Sequence, residues 1–457
     1  MGGSEPGRPA FPPGFRWGVS ASAYQIEGAV AEGGRGPSTW DRFCAEPGRI
    51  TDGNSGAIAA DHYHRFAEDI ALMRDLGVTD YRLSIAWPRI LPEGRGTVNQ
   101  PGLDFYERLV DALGEAGIAP MVTLYHWDTP QALEDQGGWT NRDMAGWFAD
   151  YAGIVAARLA DRVARWATLN EPMVLTNMGY AVGGHAPGRT LGLGALPVAH
   201  HQLLGHGRAV AALRATGASG IGIVNNQMPV WPASDDPADV AAANLYRTLT
   251  CWLYSDPVLL GRYPEAIGAV MPGPVEADLA EISAPIDWYG LNYYNAEKVG
   301  APSETVRVVD GHAMPSDLPF DLVPIEGRAT TDFGWPVTPE GLGEILAALR
   351  ARYGPALPPI HITENGAAYS DEPGPDGAVW DGRRIDYHAA HLEVLAAAIA
   401  GGADVRGYFI WSILDNFEWA VGLSQRFGLV HVDYETLKRT PKASFAWYRD
   451  FIRAQRA

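Results

Sequence analysis

Ile360-His361-Ile362-Thr363-Glu364-Asn365-Gly366 is the stretch from which the fold can be read. Pro358-Pro359 block a helix before it, and Ile360, Ile362 and Thr363 are β-branched, so the run reads as a short buried strand. The strand ends abruptly in a carboxylate, an amide and a glycine. A charged Glu directly after an apolar strand is costly unless it is solvated, paired or used. Taken alone, Thr-Glu-Asn-Gly fits a Glu opening a surface turn equally well. A second stretch, Trp166-Ala167-Thr168-Leu169-Asn170-Glu171-Pro172, repeats the grammar of apolar strand followed by Asn and Glu. Two carboxylates presented by two strand ends are the minimum equipment for glycoside hydrolysis.

Outward from these two strands, the same pattern recurs. Strands are expected at Phe15–Ser20, Asp80–Ile85, Ala119–Leu124, Ile221–Val224, Ile286–Leu291 and Val405–Ile410. Helical spacing lies between them, over about Phe66–Leu76, Leu103–Ala116, Arg142–Asp161, Leu196–Thr216, Glu340–Ala351 and Tyr387–Ala400, with Gly77 and Gly117 as C-terminal caps. Eight strands alternating with helices, without an interior linker or repeat, predict a single (β/α)8 TIM barrel with extended loops at its C-terminal face. No Gly-x-Gly-x-x-Gly follows the first strand, which argues against a dinucleotide fold. Residues 1–13, rich in Gly and Pro, are expected to be a disordered tail, and 14–457 one catalytic domain. Polar or aromatic side chains close nearly every strand: Gln25, Arg82, His126, Asn170-Glu171, Asn292 to Tyr294, Glu364 and Trp411. In such a barrel those ends converge on one mouth, so a site is the better explanation than chance.

Composition narrows the class. A hydrophobic content of 47% suits a large core, and a net charge of −19 argues against nucleic acid or an anionic membrane as partner. Fifteen Trp, many near strand ends, suggest a sugar-stacking surface, with Trp147 and Trp447 assigned to core or helix packing. Cys44 and Cys251 cannot make a disulfide framework and read as buried thiols. The first residues lack the apolar core of a signal peptide and no 18-residue apolar run occurs, so a cytoplasmic protein is expected.

Rival chemistries lack their parts. His62 and His64 open a helix rather than close a strand, and His200, His201 and His206 lie on another helix, so no metal is expected. No Gly-rich loop followed by Lys cradles phosphate, and Gly-x-Ser-x-Gly is absent. The carboxylate pair fares better, because mutual repulsion drives two close carboxyls to different pKa values. Arg82 and Tyr294 can bond Glu364 and favour its anion. Asn170 can donate to a sugar hydroxyl, and Trp411, Trp419 and Trp335 can face a pyranose.

Thr363-Glu364-Asn365-Gly366, Asn170-Glu171-Pro172, Phe15-x-Trp17-Gly18 with Gln25-Ile26-Glu27-Gly28, Tyr81-Arg82-Leu83-Ser84-Ile85-x-Trp87-x-Arg89 and Asp415-Asn416-Phe417-Glu418-Trp419 together resemble family 1 glycoside hydrolases, the retaining β-glucosidases. The resemblance runs from about Phe15 to the C-terminus. It implies a cofactor-free enzyme with Glu171 as acid/base and Glu364 as nucleophile. Gln25, His126, Asn170, Glu418 and Trp419 would bind the glycone, with Trp411 beneath the ring and Trp335 at the aglycone entrance. Arg82, Tyr294 and Asn292 would support the nucleophile. The substrates implied are small β-glucosides such as cellobiose, with β-galactosides or β-fucosides also in range; a homo-oligomer is left open. Many relatives carry Trp where Met173 stands, which leaves the aglycone side open. A 6-phospho-β-glycosidase and a non-catalytic carbohydrate-binding barrel are the alternatives. Glu418 opposes the first by charge, and the presence of both Glu171 and Glu364 opposes the second.

Overall fold

The computed structural model describes residues 9–303, 308–309, 312–313 and 318–456. Eight parallel strands close into a barrel in chain order: β1 (Arg16–Ser20), β2 (Asp80–Ser84), β3 (Ala119–Tyr125), β4 (Arg165–Asn170), β5 (Ile221–Asn226), β6 (Trp288–Asn292), β7 (Ile360–Asn365) and β8 (Val405–Trp411). These are the strands expected from the β-branched runs. The intervening helices form at His62–Leu76, Gln100–Glu115, Met144–Leu159, Leu196–Ala215, Pro339–Tyr353 and Gly382–Ala400. Gly77 ends the first of them in the left-handed region at φ 80°.

Alternation along each strand sends one set of side chains outward to the helices and the other inward. Met121, Ala167, Val224, Trp288 and Phe409, one from each of five strands, make the inner apolar layer. Its two largest rings fit because glycines face them. A Cβ on Gly18 would lie 2.3 Å from the Phe409 ring, and one on Gly222 would lie 2.6 Å from the Trp288 ring. At the opposite end from the mouth, buried Asp80 opens β2 and bonds Arg16 at 2.6 Å and Arg165 at 2.9 Å, the first residues of β1 and β4. The N-terminal face is thus tied by charge, leaving the C-terminal face for chemistry.

Four expectations need correction. Gln25 does not close a strand; it lies on a helical turn, Ala23–Ile26, after β1. Arg82 sits in the middle of β2 rather than at its end, and its long side chain reaches the mouth from there. Of the tail expected to be disordered, residues 1–8 lie outside the described residues, but Phe11 packs its ring 4.8 Å from Trp17 and its N–H donates to Gln455. Gln455 belongs to a closing helix, Ala443–Arg456, which the periodicity did not single out. Cys251 is buried, whereas Cys44 is only half-buried. Among the described residues no helix is long and apolar enough to cross a membrane.

The entry to the barrel is braced by a buried ion pair. Arg89 donates through Nε and Nη2 to Glu27 Oε2 at 3.1 and 2.9 Å, and the Tyr106 hydroxyl donates to the other oxygen at 2.6 Å. Arg89→Met strands that buried carboxylate and should cost about 3–5 kcal/mol, whereas Arg89→Met with Glu27→Gln should cost clearly less. Equilibrium denaturant unfolding measures both, and an unmoved midpoint in the single variant would contradict the assignment.

Candidate active site

Glu364 reaches the mouth because β7 breaks register beside it. Ile362 pairs with Leu291 on one side and Tyr408 on the other, but Glu364 pairs with Asn292 and Asn365 with Ile410. Such an irregularity re-aims a side chain and is common next to active sites. The Glu364 carboxylate is buried and accepts from two fixed donors. Arg82 Nη1 bonds Oε1, and the Tyr294 hydroxyl donates to Oε2 at 2.6 Å. Charged and phenolic donors on both oxygens favour the anion. Burial, and then the charge of Glu364, push the Tyr294 hydroxyl's own pKa well up, so it remains a donor.

Glu171 is presented differently. β4 shifts register against β5 between Ala167 and Asn170, and Glu171 then adopts a left-handed conformation (φ 44°, ψ 62°) before Pro172. A non-glycine residue there is costly and is held only by its surroundings. No cationic side chain bonds its carboxyl among the described residues; Asn292 Nδ2 donates at 2.7 Å, and Asn226 contributes a second amide. Burial, then the Glu364 charge, raise the Glu171 pKa to about 8, against the lowering effects of Asn292 and Arg82. Glu171 is therefore the carboxyl held for the acid, and Glu364 the one paired with a cation and a phenol.

Asn292 is a correction. It was expected to support Glu364, but its amide nitrogen goes to Glu171 and, at 3.2 Å, to Asn170 Oδ1. The Thr363 hydroxyl fixes that orientation by donating to Asn292 Oδ1 at 2.7 Å. Asn170 links the halves: its Oδ1 accepts from Arg82 Nη2 at 2.6 Å, and its Nδ2 lies 3.0 Å from His126 Nε2. Because the amide donates there, His126 Nε2 is the acceptor and the ring is neutral. Burial and Arg82 hold its pKa well below the ordinary range, in agreement.

A cavity of about 980 Å³ opens over the two carboxyls. His126, Trp411, Trp335, Tyr294, Glu418 and Trp419 line it with Glu171 and Glu364. The His126 ring stacks 5.9 Å from both Trp411 and Trp419. Trp335 stands with Tyr294, Phe333 and Phe427 in an aromatic cluster beside Trp411. Gln25, Arg82, Asn170 and Asn292 stand behind this lining. The Gln25 amide donates to Phe417 O at 2.9 Å and to Glu418 Oε2 at 3.4 Å, so it positions the Glu418 loop. Sequence reasoning passed over Trp127 and Asn226, which also line the cavity. Asn226 ends β5 as Asn170 ends β4, and that shared grammar could have identified it. The histidines of the metal alternative are committed elsewhere: His62 to Asp69, His64 to Asp61 and Glu32, His200 to Tyr263 and Asp278, and His206 to Thr168.

Comparison with known proteins gives one consistent result. The model of the family described as Glycosyl hydrolase family 1 matches residues 8–457. The chain is 45% identical to β-glucosidase A of Acetivibrio thermocellus, over 97% of this chain and 98% of that protein. It is 44% identical, with the same coverage, to a bifunctional β-D-glucosidase/β-D-fucosidase of Bifidobacterium breve. Among solved structures, the psychrophilic β-glucosidase of Micrococcus antarcticus superposes with a TM-score of 0.93 at 45% identity, over 98% of both chains. The Thermotoga maritima β-glucosidase in complex with glucoimidazole gives 0.92 at 43%, over 98% of this chain and 99% of that one.

The opposed protonation states can be read directly. Infrared difference spectra of the protein against its Glu171→Gln variant should show a carboxylic-acid carbonyl band at pH 6 that is lost with a midpoint near pH 8. Glu364→Gln removes the neighbouring negative charge and should move that midpoint down. A Glu171 already ionised at pH 6 would contradict the electrostatic account.

Proposed function

The chain belongs to glycosyl hydrolase family 1, and from that premise we infer a β-glucosidase that hydrolyses terminal non-reducing β-D-glucosyl residues with retention of configuration. The observation that carries the assignment of roles is the unequal treatment of the two carboxyls: Arg82 and Tyr294 on Glu364, burial and amides on Glu171. Glu364 attacks the anomeric carbon from the α-face as the C1–O bond to the aglycone breaks, and Glu171 gives its proton to the departing oxygen. The Glu364 ester is uncharged, so one cause of the raised Glu171 pKa disappears on glycosylation. Glu171, now a carboxylate of lower pKa, takes a proton from water, whose oxygen attacks C1 from the β-face and releases Glu364.

The glycone lies among His126, Trp411, Glu418 and Trp419 in this reading, with Asn170 and Gln25 behind them. A carboxylate at position 418 accepts from the 4- and 6-hydroxyls of a neutral sugar and repels a 6-phosphate, which disfavours the phosphoglycosidase alternative. β-D-Fucosides and β-D-galactosides belong to the same range, the first by analogy with the bifunctional relative. Small β-linked oligosaccharides such as cellobiose as substrates and a cytoplasmic location complete the proposal.

The two glutamates must fail differently when replaced. Glu364→Ala opens space on the α-face, and azide attacking there, with Glu171 still protonating the leaving group, should give an α-glucosyl azide. Glu171→Ala should lose about 10²–10⁴-fold in rate for poor leaving groups, and little for dinitrophenyl glucoside. Azide should then intercept the glucosyl-enzyme from the β-face. A β-glucosyl azide from Glu364→Ala with an α-glucosyl azide from Glu171→Ala, identified by proton NMR, would reverse the assignment.

A further inference from the structure

We propose that Tyr408 and His388 are positioning residues for the nucleophile, acting through Asn365 to hold the break in β7 that aims Glu364; this rests on Glu364 being the nucleophile. None of the three lines the cavity. Successive side chains of a strand leave it on opposite faces, so Glu364 enters the mouth while Asn365 turns outward to the helix Gly382–Ala400. Tyr408 turns the same way from β8, since its neighbour Phe409 belongs to the inner layer.

The Asn365 amide is committed at both ends. Nδ2 donates to Tyr293 O at 2.7 Å and to the Tyr387 hydroxyl at 3.1 Å, and Oδ1 accepts from the Tyr408 hydroxyl at 2.6 Å. These bonds fix the direction of the whole chain. The Tyr408 hydroxyl has one proton and gives it to Asn365, so His388 Nδ1, 2.9 Å away, must be a donor. Burial, then the charges of Arg384 and His391, keep the His388 ring neutral. Nδ1 therefore carries its proton, and the buried Nε2 is bare and unpartnered. On the other branch the Tyr387 hydroxyl donates to Tyr294 O at 2.8 Å, and the His391 ring stacks on Tyr387 at 4.0 Å.

This chain grips both partners of one bond. The Tyr294 hydroxyl donates to Glu364, and Asn365 adjoins that acceptor in sequence while reaching the backbone of the donor through Tyr387. The Tyr293 N–H donates to Glu364 O at 3.0 Å, and Tyr293 O accepts from Asn365, so a side chain stands in for a backbone partner just past the break. Asn365, Tyr408 and His388 are all fully buried. Removing the Tyr408 hydroxyl strands the Asn365 oxygen and frees the amide to rotate. A misplacement of about 1 Å at a reacting group can cost about 10²-fold in rate.

The test is Tyr408→Phe, which deletes one oxygen, assayed with p-nitrophenyl β-D-glucoside. kcat should fall about 10- to 100-fold with KM changed less than about threefold, because no group facing the sugar is altered. The alkaline limb of kcat/KM, which reports Glu171 in the free enzyme, should move down from about pH 8 by about half a unit. Glu364 and Arg82 act on the Glu171 charge, and an unclamped Glu364 draws away when both carboxyls ionise. A merely structural loss would leave that limb in place. His388→Phe should give a smaller loss of the same kind, and His388→Asn, which keeps an N–H near Nδ1, should recover most of it. That pair decides if Tyr408→Phe does not fold. A kcat within about twofold of the unsubstituted enzyme, or a loss of kcat with the limb unmoved, overturns the proposal. Glu364→Ala separates the two readings: full activity there removes the nucleophile assignment itself, whereas an inactive Glu364→Ala beside an unaffected Tyr408→Phe removes only this inference.

Discussion

Two carboxyls buried in one cavity cannot both be charged without a partner, and the bond from Arg82 to Glu364 decides which one is. The same guanidinium reaches Asn170 with its second nitrogen, so one side chain anchors the anion and orients the amide between the two carboxyls. Everything else in the mouth follows from that choice. Tyr294 takes the remaining oxygen of Glu364, and His126 stays neutral because a cation stands nearby and Asn170 donates to its Nε2. Glu171, left with neutral amides and facing a negative charge, holds its proton to about pH 8.

The barrel supplies this arrangement through departures from regularity. A uniform β7 would pair Glu364 one residue differently with both neighbours, and a regular β4 would not turn Glu171 through the left-handed region. Trp127 (φ 77°) and Trp419 (φ 47°) line the same cavity in that unusual conformation. Such positions persist only where surrounding packing over-determines them, and here the packing is aromatic: the Trp127 and Trp419 rings lie 4.7 Å apart, and Trp419 lies 4.6 Å from Trp40. The charged tie of Asp80 to Arg16 and Arg165 at the far face keeps the strands that carry these features in place.

The eight strands were legible because each is a short β-branched or aromatic run between helices of clear period, and Glu171, Glu364 and their aromatic neighbours were legible as strand ends. What depends on side-chain direction was not. Asn292 precedes Tyr294 by two residues and looked like a partner of Glu364, yet Thr363 turns its amide toward Glu171. Gln25 belongs to the site's recognition motif but stands behind the wall, bracing Glu418. The cavity wall that follows β4 and β5 was invisible because it is assembled from π-helical turns far apart in the chain, Leu175–Val182 and Thr248–Trp252, and no single stretch carries its apolar character.

The proposed role of Glu364, bonding to the sugar, can be measured directly. 2,4-Dinitrophenyl 2-deoxy-2-fluoro-β-D-glucoside slows both steps but retains a leaving group that scarcely needs protonation, so the glucosyl-enzyme should accumulate with one equivalent bound. Proteolysis and tandem mass spectrometry of the trapped protein should then place the added mass on Glu364. Mass on Glu171, or turnover without any covalent adduct, would contradict the division of labour set by Arg82.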